Sequence, residues 1–511
     1  MNKSHVLAFL VHVTVYLTQH VHSEEPATKA TSETTAKGIV VDLHSLGAKG
    51  DGRTNDSAAF REAAKQIEKA GGGTLVIPKG TYLVGEQTHE PGKYPYYKYQ
   101  PIFSVAKVDG LTIEGNDAVI RMAPGLRYGS FDKESGKEFI PKPGGFVDYD
   151  YNVGAGNILQ IRESRNITIR NLELDGNNSK LILGGYWGDT GRQCAGSGVW
   201  LYNNSNVVLE NISSHHHGLD GVCLGYTGLK ESDPATPHRL ENVQCEYNGR
   251  QGLSWVGGRG ITAIRCKFNH THRSSVSSAP GAGLDIEAEE SVCRDGRFVE
   301  CEFIDNGGCG VVADSGDGGY TRFERCKMWG TTGWSIWITK PGVSFESCEI
   351  HGSVVHGFGS SDPTLATRYT NCRFEDIEYP ERGVYRSAAL IESCGGDNIL
   401  FDDCDVVAHK TRSFYVDNSK SREIVRNCRI THKFQATDHD FLCLLRGCTI
   451  SGTHFMEDFP KDAPQRYYIH GENVIIGEGV TVDGPAVKWL NWSWGTTGTI
   501  PPSTATPPAA Q

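Results

Sequence analysis

The clearest signal in the chain is alternation between apolar and polar positions in short runs. "SGVWLY" (197–202), "DGVCLG" (220–225), "QGLSWV" (251–256), "AGLDIE" (282–287), "CGVVAD" (309–314) and "WSIWIT" (334–339) are brief alternating segments bounded by glycine and asparagine turns. Period-two alternation puts successive side chains on opposite faces of a strand. A second series of the form Cys-x-apolar runs in phase with the first, at Cys245, Cys266, Cys301, Cys326, Cys348, Cys372, Cys404, Cys428 and Cys448. Its steps are about 20–35 residues, and each step holds two or three strands. Such a period predicts a solenoid whose coils stack strand over strand about 4.8 Å apart. Short alternating runs and frequent glycine exclude helical repeats. The nine cysteines are then expected as one inward column. A buried thiol packs as a small apolar group, so the column reads as core, not as a disulfide chain.

Aligning the first series on Val199, Val222, Leu253, Leu284, Val311 and Ile336 gives the inward positions. One residue on, the outward row reads Trp200, Cys223, Ser254, Asp285, Val312, Trp337. Two further on come Tyr202, Gly225, Val256, Glu287, Asp314 and Thr339. Glu287 and Asp314 are therefore expected as neighbours about 5 Å apart, with Asp285 beside them. Carboxylates that close push one pKa upward and make an acid and a base from similar groups, which is what glycoside hydrolysis requires. Trp200 and Trp337 flank this patch and offer apolar ring faces to a sugar. The same density of carboxylate oxygens also suits Ca²⁺, and a solvated acidic face is the plainest alternative.

A second candidate is "SSHHHGLDGVCLGYTG" (213–228), where His217 and Asp220 follow the end of a coil. His217 is expected as a proton-transfer or substrate group beside Arg250. Arg250 could neutralise a uronate carboxylate or could simply pair with Asp220. Gln251 opens the next coil beside it.

Composition narrows the classes. The 511 residues carry a net charge of −11 without a basic run, which argues against nucleic acid as a partner. Glycine is abundant (61) and methionine scarce (4), as in turn-rich β proteins. "VLAFLVHVTVYL" (6–17) after Lys3 is too short to span a bilayer and reads as a secretory signal, expected over 1–24. A polar linker is expected over 25–38, the solenoid over 39–490, and a disordered Pro/Thr-rich tail over 491–511. Export would place the protein outside the cell or in the periplasm, with no membrane insertion.

"NDSAAFREAAKQIEKA" (55–70) reads as a helix started by Asn55 or Asp56 and stopped by Gly71. It is suited to cover the open end of a solenoid, whose bare strand edges would otherwise invite aggregation. The stretch "VDLHSLGAKGDGRTNDSAAFREAAKQIEKAGGGTLVIPKGTYLVG" (41–85) resembles the opening module of the pectate-lyase-like superfamily, the rhamnogalacturonase and epimerase-like group. The resemblance rests on GAKGDG, the Asn-Asp-Ser-x-Ala helix start, GGG and Pro-x-Gly-x-Tyr. It implies an all-β fold, a single-stranded right-handed parallel β-helix with a short N-terminal capping helix, and action on polysaccharides. Asp220-Gly is similar to the element that carries an acidic catalytic residue in polygalacturonase-like members. Their paired Asp-Asp, Gly-His-Gly and Arg-x-Lys motifs are missing, and Gln251 stands where the histidine would be. Three functions follow as expectations. The first is a hydrolase using carboxylates among Asp285, Glu287, Asp314 and Asp220, with no cofactor. The second is a uronate lyase or C5-epimerase, with Ca²⁺ or Arg250 holding the sugar carboxylate. The third is a non-catalytic carbohydrate-binding or adhesin solenoid.

Overall fold

The computed structural model describes residues 38–140, 149–188, 190–380, 382, 389–393, 396–417, 422–433, 442–458, 467–483 and 487–490. The expected signal segment, nearly all of the linker and the expected tail lie outside them. No described helix is long and apolar enough to cross a membrane.

The chain winds as a right-handed parallel β-helix, with one sheet system running from Ile39–Asp42 to Val487–Leu490. The first repeat series stacks in the predicted register. Leu159 pairs with Val199, Val199 with Val222, and the ladder continues through Leu253, Leu284, Val311 and Ile336. Each of these seven side chains is fully buried. Farther along each coil an aromatic ladder fills the interior. Phe298, Phe323, Phe345, Tyr369 and Phe401 stack in turn with centroids 5.2, 4.8, 4.9 and 5.0 Å apart. Near-parallel stacking of buried rings adds roughly 0.5–1.5 kcal/mol per pair beyond area burial.

The cysteine column is real but shorter than the text suggests. Cys266, Cys301, Cys326, Cys348, Cys372, Cys404 and Cys428 follow one another across paired strands. Cys245 stands opposite Phe268 instead, and Cys448 lies off the column, one residue before Thr449, which pairs with Ile424, while Thr453 takes the place after Cys428. Spacing alone does not register which of two inward positions a cysteine takes. All nine are buried free thiols. Several donate to carbonyls of the preceding coil, as Cys326 does to Phe298 at 3.4 Å.

Corners are made where side chains tolerate the left-handed region. Asn171, Asn211 and Asn242 have φ of 56°, 53° and 53°. Asn is enriched there because its short amide bonds locally. Here the amides also bond one another, Asn242 to Asn211 and Asn211 to Asn171, each at 3.0 Å. The N-terminal helix spans Ser57–Ala70 and ends on Gly71 at φ 74°. Its buried face includes Phe60, Ala63, Ala64 and Ile67. Asp56 does not cap it. Its carboxylate accepts the backbone N–H groups of Lys49 and Gly50 at 2.8 and 3.1 Å, while Asn55 Oδ1 accepts the Ser57 N–H at 3.1 Å.

Candidate active site

Strands Val199–Tyr202, Val222–Gly225, Leu253–Val256, Leu284–Arg294, Val311–Asp317 and Lys327–Ile338 lie in sequence along one wall. Their paired register sets Trp200, Cys223, Ser254, Asp285, Val312 and Trp337 in one outward row. The two tryptophans are half-buried, whereas Cys223, Ser254, Asp285 and Val312 are covered. Trp200 stacks on Tyr202 at 5.1 Å with 8° between planes, which fixes a flat double-ring surface at one end of the row.

Glu287 does not face Asp314. Asp285 pairs with Val312, but Glu287 pairs with Ser315, so the second strand carries one extra residue in between. Asp314 sits in this bulge. Two carboxylates directly opposite destabilise a strand pair. The glycine-rich run that follows, Gly316, Gly318 and Gly319, gives that strand the freedom to slip. Strict alternation cannot foresee a bulge. The cluster nonetheless stays together electrostatically, since both Glu287 and Asp314 act on the Asp285 carboxyl.

Asp285 is 4% exposed and Glu287 7%. Burial drives the Asp285 pKa well above the carboxylate range; Glu287 adds to this, Arg250 partly opposes it, and Asp314 and Asp220 contribute in the same upward direction. Gln251 Nε2 donates to Asp285 Oδ2 at 2.6 Å. The amide is oriented by its other end, because Gln251 Oε1 accepts the Ala282 N–H at 2.8 Å. Asp314 is exposed at the rim; partial desolvation against the wall raises its pKa while Lys340 acts the other way.

Four of the expected site residues, Asp220, Arg250, His217 and Gln251, are engaged within the wall. Asp220 is fully buried, and Arg250 Nε and Nη2 grip both its oxygens at 2.8 and 2.6 Å. A two-pronged guanidinium pair of this kind is strong and fixes both partners, the salt bridge that was the alternative reading of Arg250. His217 is 1% exposed, with Nε2 3.1 Å from Ser214 Oγ. Burial depresses its pKa to about 3, so it is a neutral core group out of reach of a polymer. Gln251, also fully buried, positions Asp285 and does not touch substrate.

The structure adds a second polar face that the text did not show. His216, Tyr247 and His270 stack at 5.2 and 4.8 Å, and all three have positive φ, 54°, 56° and 58°. Next in this corner column is Asp305, whose carboxylate accepts from His270 Nδ1 (3.0 Å), Arg273 Nε (3.1 Å), Thr331 Oγ1 (2.7 Å) and Arg382 Nε (3.1 Å). Those partners hold its pKa below the usual range against the opposing effect of burial. Histidine is among the residues enriched in the left-handed region, tyrosine less so; the histidine run 215–217 is visible in the sequence, but not which ring joins this stack.

Comparison with known proteins gives a coherent picture of the fold. The model of the rhamnogalacturonase A/epimerase, pectate lyase-like family matches residues 40–96, and that of the right-handed β-helix region matches 156–342. An exopolygalacturonase of Arabidopsis thaliana is 51% identical over 47 residues, 9% of this chain and 10% of its own length. The mannuronan C5-epimerase AlgE1 of Azotobacter vinelandii is 28% identical over 229 residues, 42% of this chain and 14% of its own length. The chain thus spans only a small part of these curated relatives. Among solved structures, the A-module of the Azotobacter vinelandii mannuronan C-5 epimerase AlgE4 overlays 89% of this chain and 100% of its own with TM-score 0.42 and 12% identity. The chain thus carries a pectate lyase-like opening segment at 40–96 and a right-handed β-helix region at 156–342.

Proposed function

We propose that the chain is an exported polysaccharide-degrading glycoside hydrolase in which Asp285 is the general acid and Glu287 its carboxylate partner. The observation that carries this reading is the Asp285 environment: a buried carboxyl beside two other carboxylates, pushed toward its neutral form and bonded by Gln251. A protonated carboxyl next to an ionised one is the acid–base division that glycosidic cleavage uses. Asp285 gives its proton to the glycosidic oxygen as the C–O bond breaks. Glu287 stabilises the positive charge developing at the anomeric carbon, either by bonding to it or by activating the water that does. Trp200, Tyr202 and Trp337 supply ring faces along the row for neighbouring sugars. Ca²⁺ fits this cluster less well than a proton does, because Asp285 favours its neutral form and one of its oxygens is engaged by Gln251. Export is supported by the apolar stretch 6–17 behind Lys3.

A second reading, uronate lyase or C5-epimerase, is favoured by the half-buried His216–Tyr247–His270 stack with Arg273 and Arg382 near its end. A phenol or imidazole there could move the C5 proton while an arginine neutralises the uronate. The full chain incubated with a panel of neutral and acidic polysaccharides, with and without a chelator, separates these. The hydrolase reading expects new reducing ends, no ultraviolet absorbance of unsaturated uronates, and indifference to the chelator. Unsaturated products, or a change of C5 configuration by nuclear magnetic resonance without cleavage, would establish the second reading. Binding with no turnover would make the protein an adhesin-like solenoid.

A further inference from the structure

We propose that Asp175, His215 and His216 form a binding site for one divalent transition-metal ion of the Zn²⁺ class. One ligand atom from each lies within 4.8 Å of the other two. His215 Nδ1 is 3.7 Å from Asp175 Oδ1 and 2.8 Å from His216 Nδ1. Neighbouring residues on a strand point to opposite faces. Here they converge because His216 takes the left-handed conformation, φ 54°, immediately after the strand Ser205–His215 ends. Its ring then swings back toward that of His215, at 88° to it.

The surroundings orient the donors as metal sites do. His215 Nε2 lies 3.3 Å from Glu173 Oε1. In the tautomer that donates to this carboxylate the ring proton is on Nε2, and the Nδ1 lone pair then faces Asp175 and His216. A carboxylate behind a ligating imidazole is the usual outer support of such sites. Arg121 Nε holds Asp175 Oδ2 at 2.7 Å and the Asn177 N–H holds Oδ1 at 2.8 Å, fixing the carboxylate in place. Tyr247 stacks on His216 at 5.2 Å and 12°, fixing the plane of that ring. Asp175 and His215 are direct cross-strand partners, so their spacing is set by the ladder itself. The close approach behind them needs Gly176, where a Cβ would come within 2.4 Å of the His216 oxygen and the His217 Cα.

The donor set decides the class of ion. Two imidazoles and one carboxylate suit Zn²⁺ and its neighbours, whereas Ca²⁺ and Mg²⁺ take oxygen ligands. Three protein ligands leave a fourth tetrahedral position for water or a substrate oxygen. The side chains of His215 and Asp175 are 20% and 12% exposed, so that position opens to solvent. This inference is independent of the hydrolase reading, and its failure leaves that reading untouched.

The test uses the full chain, stripped with a chelator and titrated with Co²⁺ as a spectroscopic stand-in for Zn²⁺. The proposal expects one Co²⁺ per chain, the visible bands of a four-coordinate ion, displacement by Zn²⁺, and indifference to Ca²⁺. Asp175→Asn and His216→Ala should each weaken binding at least tenfold, with circular dichroism unchanged. Should His216→Ala misfold, His216→Asn keeps a residue that tolerates positive φ and removes the imidazole. Absence of saturable Co²⁺ binding to the wild-type chain would overturn the proposal. So would equal binding by the folded His215→Ala/His216→Ala double variant.

Discussion

Asp220 and Asp285 lie on the same wall, both beneath the surface, and they have opposite fates. Asp220 meets a guanidinium that takes both of its oxygens. Asp285 meets a neutral amide and two acidic neighbours. Both are buried; what differs is the partner that each one meets. A carboxylate tied to Arg250 is architecture. One left among its own kind is pushed toward the protonated form.

Substitution sharpens this contrast most strongly at the level of stability. Asp220→Ala leaves Arg250 buried without its counter-ion, a change that costs about 3–5 kcal/mol. The expected result is a clear fall in the thermal unfolding midpoint and in soluble yield. Asp285→Asn keeps the shape of a neutral carboxyl, and its new side-chain oxygen can accept from Gln251 Nε2 as Oδ2 does, so its cost is expected below about 1 kcal/mol. Similar losses in the two variants, followed by circular dichroism, would erase the distinction.

The pH dependence of stability gives a second, smaller separation. Asp285 has a raised folded pKa, so the folded state holds its proton after the unfolded chain has released it at the ordinary 3.8. The contribution of that group is complete below 3.8 and is lost as pH climbs through the raised value. His217 runs the other way. Its folded pKa is depressed from 6.5 to about 3, so its contribution is present above 6.5 and is lost as pH falls toward 3. Between 3.8 and 6.5 the two contributions to the unfolding midpoint therefore slope in opposite directions. Asp285→Asn should remove the component that falls with rising pH and leave the one that falls with falling pH.

The smallest expected effects belong to the ring platform. Trp200→Ala or Trp337→Ala should raise KM for a long polymer about tenfold, ~1.4 kcal/mol of lost binding, with kcat nearly unchanged. A matching fall in kcat with KM constant would place these rings at the reacting sugar, not beside it.

Much of this organisation was legible in the text and some was not, for identifiable reasons. The inward column from Val199 to Ile336 follows from alternation plus coil spacing, and it stacks as read. The helix at Ser57–Ala70 follows from its start and stop residues. Register failed where the chain gains a residue: Asp314 left the Glu287 position because a bulge beside three glycines relieves like-charge crowding. Direction failed at corners. His217 was expected beside Arg250 as a proton-transfer or substrate group but lies buried against Ser214, and the His215–His216 convergence depends on the positive φ of His216, which alternation does not show. The Asp220–Arg250 bond was anticipated as one alternative, but only coordinates show both oxygens taken.

The most direct test of the central claim is the rate of reducing-end release by the wild-type chain and by Asp285→Asn, measured side by side on whichever polysaccharide the panel identifies. The account predicts a loss of about 10²–10⁴-fold in kcat, the usual contribution of a positioned general acid, with folding intact. Full activity in Asp285→Asn with an unchanged circular dichroism spectrum would contradict it.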